Sequence, residues 1–177
     1  MSAPVAGRIR QAGPRFYALF ALWLGAFALA FEAARAALVH AFMYPAVVCT
    51  AVALQAMGIP AALGDLQVSA GTCLLAVGDV VYRVTFECTG IFALFMCLSA
   101  ILAFPARRRQ RAQGVLAALP AFFCYSVARM VVLGIVARVA PEQIQLFHLY
   151  VMVLVNLGFV LALWLYWLSR AVPEAAR

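Results

Sequence analysis

The sequence contains little charge, and basic side chains outnumber acidic ones by more than two to one. Only 11% of the 177 residues are charged, with six acidic side chains against thirteen arginines and not one lysine. Hydrophobic residues make up 68% of the chain, whereas soluble domains have about 45–50%. A soluble domain of this length cannot bury so much apolar surface, so the composition indicates a membrane protein. The net charge of +7 does not indicate nucleic-acid binding, because most of the arginines lie at the chain ends and in one loop, as topology determinants do.

The spacings that metal and redox sites require are also missing. The five cysteines include no C-x-x-C pair, and the two histidines are far apart in the sequence. A disulfide framework, a zinc site and a thioredoxin-like redox pair therefore lack their ligand spacing. We predict no cofactor and no metal site.

The apolar runs predict an all-α membrane protein, a polytopic helical bundle with four full spans and one shorter helix. The predicted transmembrane helices cover residues 16–35, 88–104, 114–139 and 146–168. The run 45–59 is shorter than the ~20 residues that a full crossing needs. We expect it to be interfacial or re-entrant, with a short crossing as the alternative.

Arginine placement predicts the orientation of the bundle. Four arginines within residues 107–111 are typical of a cytoplasmic loop, here 105–113. The basic flanks put the tails 1–15 and 169–177 on the same side. Trp164, Tyr166 and Trp167 then predict an aromatic belt at the inner end of the last helix. We expect a multi-pass protein of the cytoplasmic (inner) membrane.

Residues 61–87 differ in character from the rest of the chain. They contain three glycines, three acidic residues and β-forming side chains in loose alternation. The stretches 66–69 and 80–86 are predicted to be short strands, with Gly78-Asp79 as a turn. Open strands cannot lie in hydrocarbon, so we expect a small extracytoplasmic loop or hairpin pressed on the bundle.

Cys88 is the cysteine whose position indicates chemistry. It is predicted to open the second span from the outside, where the unpaired N–H groups of a helix start carry partial positive charge. A thiol at such a place can have a lowered pKa, and the thiolate is the nucleophile. Gly90 would allow another group to approach closely. The other four cysteines are interpreted as small apolar residues.

Two further residues are expected at the same outer level. Arg129 lies inside the third span, where a charged side chain costs roughly 2.5–3.5 kcal/mol. It either snorkels to the interface or faces an internal site, and the second reading is favoured because Tyr125 and Ser126 share its helix face. His148 opens the last span. We predict Cys88 as nucleophile, His148 as general base and acid, and Arg129 as the group that stabilises an oxyanion.

Three short motifs carry a family resemblance. They are Cys-Thr-Gly-Ile at 88–91 opening a helix, Val-Ala-Arg-Met-Val-Val-Leu at 127–133 in the next helix, and His148 opening the last one. Their order, spacing and helix placement resemble the exosortase/archaeosortase family of membrane transpeptidases, over about residues 40–165. Members of this family often have asparagine three residues before the arginine, where this chain has Ser126.

The resemblance implies an activity and a set of partners. It implies that Cys88, Arg129 and His148 form the active site. The substrates would be membrane-anchored proteins with a C-terminal sorting signal, made of a short motif, an apolar helix and an arginine-rich tail. Cleavage would pass through a thioester, resolved by an amine or similar acceptor on a lipid or glycan. Supporting roles are predicted for neighbouring residues, namely Glu87, Thr89, Gly90, Tyr125 and Ser126.

Two other classes of function remain open at this stage. The chain could be a non-enzymatic membrane protein, such as an assembly factor or a transporter subunit, in which Arg129 pairs with a partner's acid or a lipid headgroup. A thiol-redox membrane protein is disfavoured by the missing cysteine pair. A sortase-like enzyme should be accompanied by proteins that carry the sorting signal, and a transporter subunit by an ATPase with a P-loop.

Overall fold

The computed structural model describes the backbone of residues 3–175 and the side chains of residues 13–171. The chain is mostly helical, with one antiparallel sheet. The helices are α1 (Ala3–Leu38), α2 (Tyr44–Ala56), α3 (Phe86–Thr89), α4 (Ile91–Ala103), α5 (Arg108–Val139), α6 (Ile144–Leu146) and α7 (Met152–Ala175). The strands are β1 (Ala61–Gln67), β2 (Thr72–Val77) and β3 (Val80–Thr85). Two π-helical turns, Val39–Met43 and Phe147–Val151, and a 3-10 turn, Pro141–Gln143, complete the described elements.

Three helical stretches are long and apolar enough to cross a membrane: Gly13–Ala56, Arg108–Val139 and Pro141–Ala171. This agrees with a helical membrane protein, but it does not confirm four full spans. The stretch predicted as a span at 88–104 contains α4, which has 13 residues and is shorter than the ~20 of a full crossing.

The first two predicted helices, 16–35 and 45–59, are joined in the structure. α1, the first π-helical turn and α2 form one continuous helical run. Pro45 directly follows the π-helical turn, in which the Tyr44 N–H donates to the Val39 carbonyl, and it does not break the run. The run ends at Gly58, which has a φ of 77° and a backbone N–H that donates to the Gln55 carbonyl at 2.9 Å. The predicted tails, 1–15 and 169–177, lie mostly outside the described side chains.

The β-prone segment folds as a three-stranded antiparallel meander in the order β1-β2-β3. The predicted turn at Gly78-Asp79 is confirmed, since Val77 pairs with Val80 across it and Gly78 has a φ of 58°. The sequence analysis found β1 only in part and missed β2. Alternate residues of β2 are buried and the others are half-buried, so both faces of the strand carry apolar residues. The sequence of β2 therefore lacks the apolar–polar alternation by which a strand is usually predicted.

The long helix α5 connects the two ends of the bundle. It begins at Arg108 rather than at the predicted residue 114, because arginine, glutamine and alanine are good helix formers. Near its far end, Leu54 and Tyr82 pack over Gly134. Near its start, Trp167 packs over Gly114. We call the end that carries the sheet, residues 61–85, the sheet end. The end that carries residues 104–111 and 167–171 is the arginine end.

One member of the predicted aromatic belt faces the bundle interior. Trp167 is buried, its ring meets the Phe104 ring edge-on at 5.8 Å, and its indole N–H donates to the Gln110 carbonyl at 3.0 Å. Tyr166 is exposed, as a belt residue should be. The prediction was wrong for Trp167 because it considered only which residues are aromatic. Successive side chains of a helix point about 100° apart, so Tyr166 and Trp167 cannot both face the lipid in the same way.

Candidate active site

Cys88 lies in the single-turn helix α3, between the sheet and α4. Phe86 fixes this turn, since it is buried and its ring meets that of Phe31 edge-on at 5.0 Å. Gly90, with a φ of 72°, ends the turn, and α4 begins only at Ile91. The prediction that Cys88 opens the second span is therefore wrong, because the long helix begins three residues later, at Ile91.

The Cys88 thiol instead obtains its environment from His148 and Thr85. Burial raises the pKa of Cys88, but hydrogen bonds with the His148 side chain and with the backbone and side chain of Thr85, together with the charge of His148, outweigh burial and lower the pKa below its ordinary value. The Thr85 Oγ1 lies 3.7 Å from the sulfur. By contrast, burial alone raises the pKa of Cys73 in β2. Of these two thiols, Cys88 is the one prepared as a nucleophile.

His148 reaches the thiol from the π-helical turn Phe147–Val151 that precedes α7. Such turns insert one extra residue into a helix and are frequent at functional sites. The ring is half-buried, and its Nδ1 is buried without a hydrogen-bond partner among the described residues. The predicted proximity of a base to the nucleophile agrees with this geometry.

Arg129 contacts the α3 turn from α5. Its side chain is only 8% exposed, and its Nη1 donates to the Glu87 carbonyl at 3.3 Å. No carboxylate among the described side chains pairs with it. Ser126, one turn earlier on α5, donates to the carbonyls of Thr89 and Phe122. The two α5 side chains thus hold the backbone on both sides of the nucleophile.

Gly90 allows a close approach of polar side chains to this turn. A Cβ at Gly90 would lie 3.4 Å from Asn156 Oδ1 and 3.6 Å from Arg129 Nη1, and the Tyr125 ring is within 3.7 Å. The Tyr125 hydroxyl and Asn156 Oδ1 are both buried without partners among the described residues. The Tyr125 ring stacks on Phe159 at 4.1 Å. A polar notch therefore exists beside Arg129.

The remaining predicted supporting residues have local roles. Thr89 is buried and its hydroxyl donates to the Phe86 carbonyl at 2.7 Å, which closes the α3 turn. The Glu87 side chain is exposed and accepts a hydrogen bond from the Thr85 hydroxyl at 3.5 Å, so only its backbone carbonyl contacts Arg129. Within residues 13–171, no cluster of three histidine, cysteine or acidic side chains could hold a metal ion.

Three residues of the site were missed by the sequence analysis. Thr85 and Tyr82 were assigned only to a strand, and Asn156 was passed over within the last apolar run. Asn156 had a usable signal, because a lone amide inside a transmembrane helix is expensive and usually functional. Burial raises the pKa of the Tyr82 hydroxyl, and the negative charge of the nearby Cys88 thiolate raises this pKa further.

The structure thus brings Cys88, His148 and Arg129 around one turn at the sheet end, with Thr85, Tyr125 and Asn156 beside them. The arrangement provides an activated thiol, an imidazole within hydrogen-bond reach and a buried guanidinium. Comparisons with family models, with curated proteins and with solved structures return no match for this chain.

Proposed function

We propose that this chain is a membrane-embedded cysteine protease or transpeptidase of the exosortase type. It cleaves a C-terminal sorting signal through a thioester on Cys88 and transfers the product to an amine or similar acceptor on a lipid or glycan. One observation carries the proposal: a half-buried thiol that hydrogen-bonds an imidazole, so that the pKa of Cys88 is lowered despite burial. Purely structural thiols in apolar surroundings have the opposite shift.

The reaction follows from the contacts of the three groups. His148 accepts the thiol proton, and the Cys88 sulfur forms a bond to the scissile carbonyl carbon. When the C–N bond breaks, the His148 imidazolium gives its proton to the leaving amine. In the second half, His148 accepts a proton from the acceptor amine, whose nitrogen attacks the thioester. The C–S bond then breaks and the thiolate is restored.

Arg129 supplies charge where the oxyanion develops. A cation buried in a membrane bundle without a carboxylate partner is costly. Its hydrogen bond to the Glu87 carbonyl offsets only part of this cost. The negative charge that develops on the substrate carbonyl oxygen in the transition state would offset more of the cost of burying Arg129. Because this interaction is strongest in the transition state, it would lower the reaction barrier. The unpaired Tyr125 hydroxyl and Asn156 amide add polar groups for the substrate backbone.

The proposed topology places this site on the outside of the cytoplasmic membrane. α4 would be a short fourth crossing, since it runs from the sheet end to Phe104 at the arginine end. Most of its side chains are buried in the bundle, so few of them meet lipid. The arginine end would face the cytoplasm, as the positive-inside rule requires. The sheet end would then receive substrates whose arginine-rich tails stay in the cytoplasm.

The test is processing of a candidate substrate in cells. A protein from the same genome that ends in a shared motif, an apolar helix and an arginine-rich tail is expressed with this chain. We expect Cys88→Ala to abolish processing while the protein still folds, and Cys124→Ala, which changes an exposed cysteine, to leave processing unchanged. Mass spectrometry of the wild type should detect an acyl adduct on Cys88. Normal processing by Cys88→Ala, without any adduct on the wild type, would favour the non-enzymatic alternative.

Arg129→Lys tests the electrostatic part of the proposal. Lysine keeps the positive charge but loses the planar set of donors that can serve the Glu87 carbonyl and an oxyanion together. Processing should fall about 100-fold or more, the usual cost of one oxyanion donor. Arg138→Lys, an exposed arginine on the same helix, is the matched control and should keep the wild-type rate. Equal rates for both variants would remove Arg129 from the mechanism.

A further inference from the structure

A cavity at the arginine end lies outside the site described above. It has a volume of about 400 Å³ and is bounded by α4, the first part of α5 and the last part of α7. This volume is within the range of about 300–1,000 Å³ that is typical of small-molecule sites. Its lining mixes apolar and polar side chains, among them Ile101, Gln110, Gln113, Ala117, Tyr166 and Arg170.

The wall of this cavity is held in place by hydrogen bonds. Gln110 is 5% exposed, and its Nε2 donates to the Ala171 carbonyl at 3.2 Å. The Trp167 indole donates in turn to the Gln110 carbonyl. A Cβ at Gly114 would lie only 2.5 Å from the Trp167 Nε1, so α5 and α7 approach here as closely as glycine allows. The cavity is therefore a preformed space and not a gap left by loose packing.

One arginine lines this cavity, and four more lie near the lining residue Gln110 in the sequence. The Arg170 guanidinium lies over the Tyr166 ring, 4.6 Å from its centroid, and both side chains line the cavity. Four more arginines lie within residues 107–111, at the start of α5. No hydrogen-bonded carboxylate is found for them among the described side chains. Of the six acidic residues, five belong to segments at the sheet end (Glu32, Asp65, Asp79, Glu87 and Glu142), and the sixth, Glu174, lies outside those side chains.

We propose that this cavity binds the phosphate group of an anionic phospholipid, with phosphatidylglycerol as the probe. Arg170, which lines the cavity, supplies the charge-assisted hydrogen bonds, and the arginines at 107–111 next to Gln110 add positive charge. The acyl chains would lie along the exposed apolar faces of α5 and α7, where Leu116 is 69% exposed and Leu165 48%. Positive-inside topology explains the arginines alone, but it does not require a polar cavity with a fixed wall among them. The inference is independent of the chemistry at Cys88.

The experiment measures lipid binding by the purified full chain in nanodiscs. Phosphatidylglycerol should raise the melting temperature above its value in phosphatidylcholine, and native mass spectrometry should detect retained phosphatidylglycerol. Arg170→Gln should weaken this binding about fivefold, the factor that corresponds to about 1 kcal/mol for one arginine near a phosphate. Ala117→Trp, which fills the cavity without changing charge, should abolish retention. Arg83→Gln, an equal loss of charge on β3, should leave it unchanged.

Two controls decide the interpretation. An unfolding measurement in phosphatidylcholine shows whether each variant still folds. If Ala117→Trp does not fold, the comparison of Arg170→Gln with Arg83→Gln still tests the proposal. Inorganic phosphate is added to the protein in phosphatidylcholine nanodiscs. If it raises the melting temperature as phosphatidylglycerol does, the cavity binds phosphate and its ligand is a soluble anion. If Arg170→Gln and Arg83→Gln reduce phosphatidylglycerol binding equally, or a folded Ala117→Trp retains the lipid, binding is only general surface attraction and the proposal fails.

Discussion

Replacing His148 with glutamine should make Cys88 less acidic. Glutamine keeps a polar side chain of similar reach but cannot carry the positive charge that His148 contributes. What remains is burial, which raises the pKa of a thiol, and the contacts with Thr85. The pH profile of Cys88 alkylation should therefore move to higher pH, because the thiolate is the reactive form.

The size of the effect follows from the hydrogen bond that is lost. A hydrogen bond to a charged group is worth about 1.5–3 kcal/mol. Since about 1.4 kcal/mol corresponds to a factor of ten, the midpoint of the Cys88 alkylation profile should move up by about one to two pH units. Thr85→Val removes only the hydroxyl contact at 3.7 Å and keeps the backbone contact, so its effect should be smaller.

The assay is iodoacetamide labelling across a pH series, with mass spectrometry to separate Cys88 from the exposed Cys49 and Cys124. His40→Gln is the matched control. His40 also lies in a π-helical turn but is exposed, and its replacement should leave the Cys88 profile unchanged. If His148→Gln gives the wild-type profile, the imidazole does not activate the thiol, and the reasoning about the nucleophile is refuted.

Two further predictions concern packing. Gly90→Ala should destabilise the fold by about the 1–2 kcal/mol that a left-handed backbone costs, because its Cβ would meet Asn156 Oδ1 and Arg129 Nη1 only at ordinary contact distances of 3.4 Å and 3.6 Å. Gly58→Ala, with a φ of 77° and open space, should cost about the same, and a much larger loss of melting temperature for Gly90→Ala would contradict this account. Leu54→Ala, which is fully buried, should cost about 2–5 kcal/mol, whereas Leu116→Ala, on the exposed face of α5, should cost almost nothing in the same unfolding measurement.

The sequence was sufficient for features that depend on composition and on local turn chemistry. The abundance of apolar residues and the position of the arginines predicted a helical membrane protein, and Gly78-Asp79 predicted the turn that the structure contains. The expectation that Cys88, Arg129 and His148 arrive at one level followed from the order of the helices. That expectation agrees with the geometry around α3.

Other features depend on tertiary contacts that no local pattern encodes. The first π-helical turn lets one helical run continue where mixed composition predicted a break after residue 35. The left-handed Gly90 separates α3 from α4, so a helix expected to begin at Cys88 begins at Ile91. Asn156 acquires significance only because α7 brings it over Gly90. In each case the packing partner, rather than the local sequence, determines the result.

The hydrogen bond between α5 and α3 would make Arg129 serve two acceptors in the proposed reaction. The guanidinium that would meet a substrate oxygen also holds the carbonyl of the residue immediately before the nucleophile. Tightening one contact must therefore alter the other, and the sulfur moves with the peptide it follows. In the proposed reaction, substrate binding and the orientation of the thiol would therefore be mechanically linked through a single side chain.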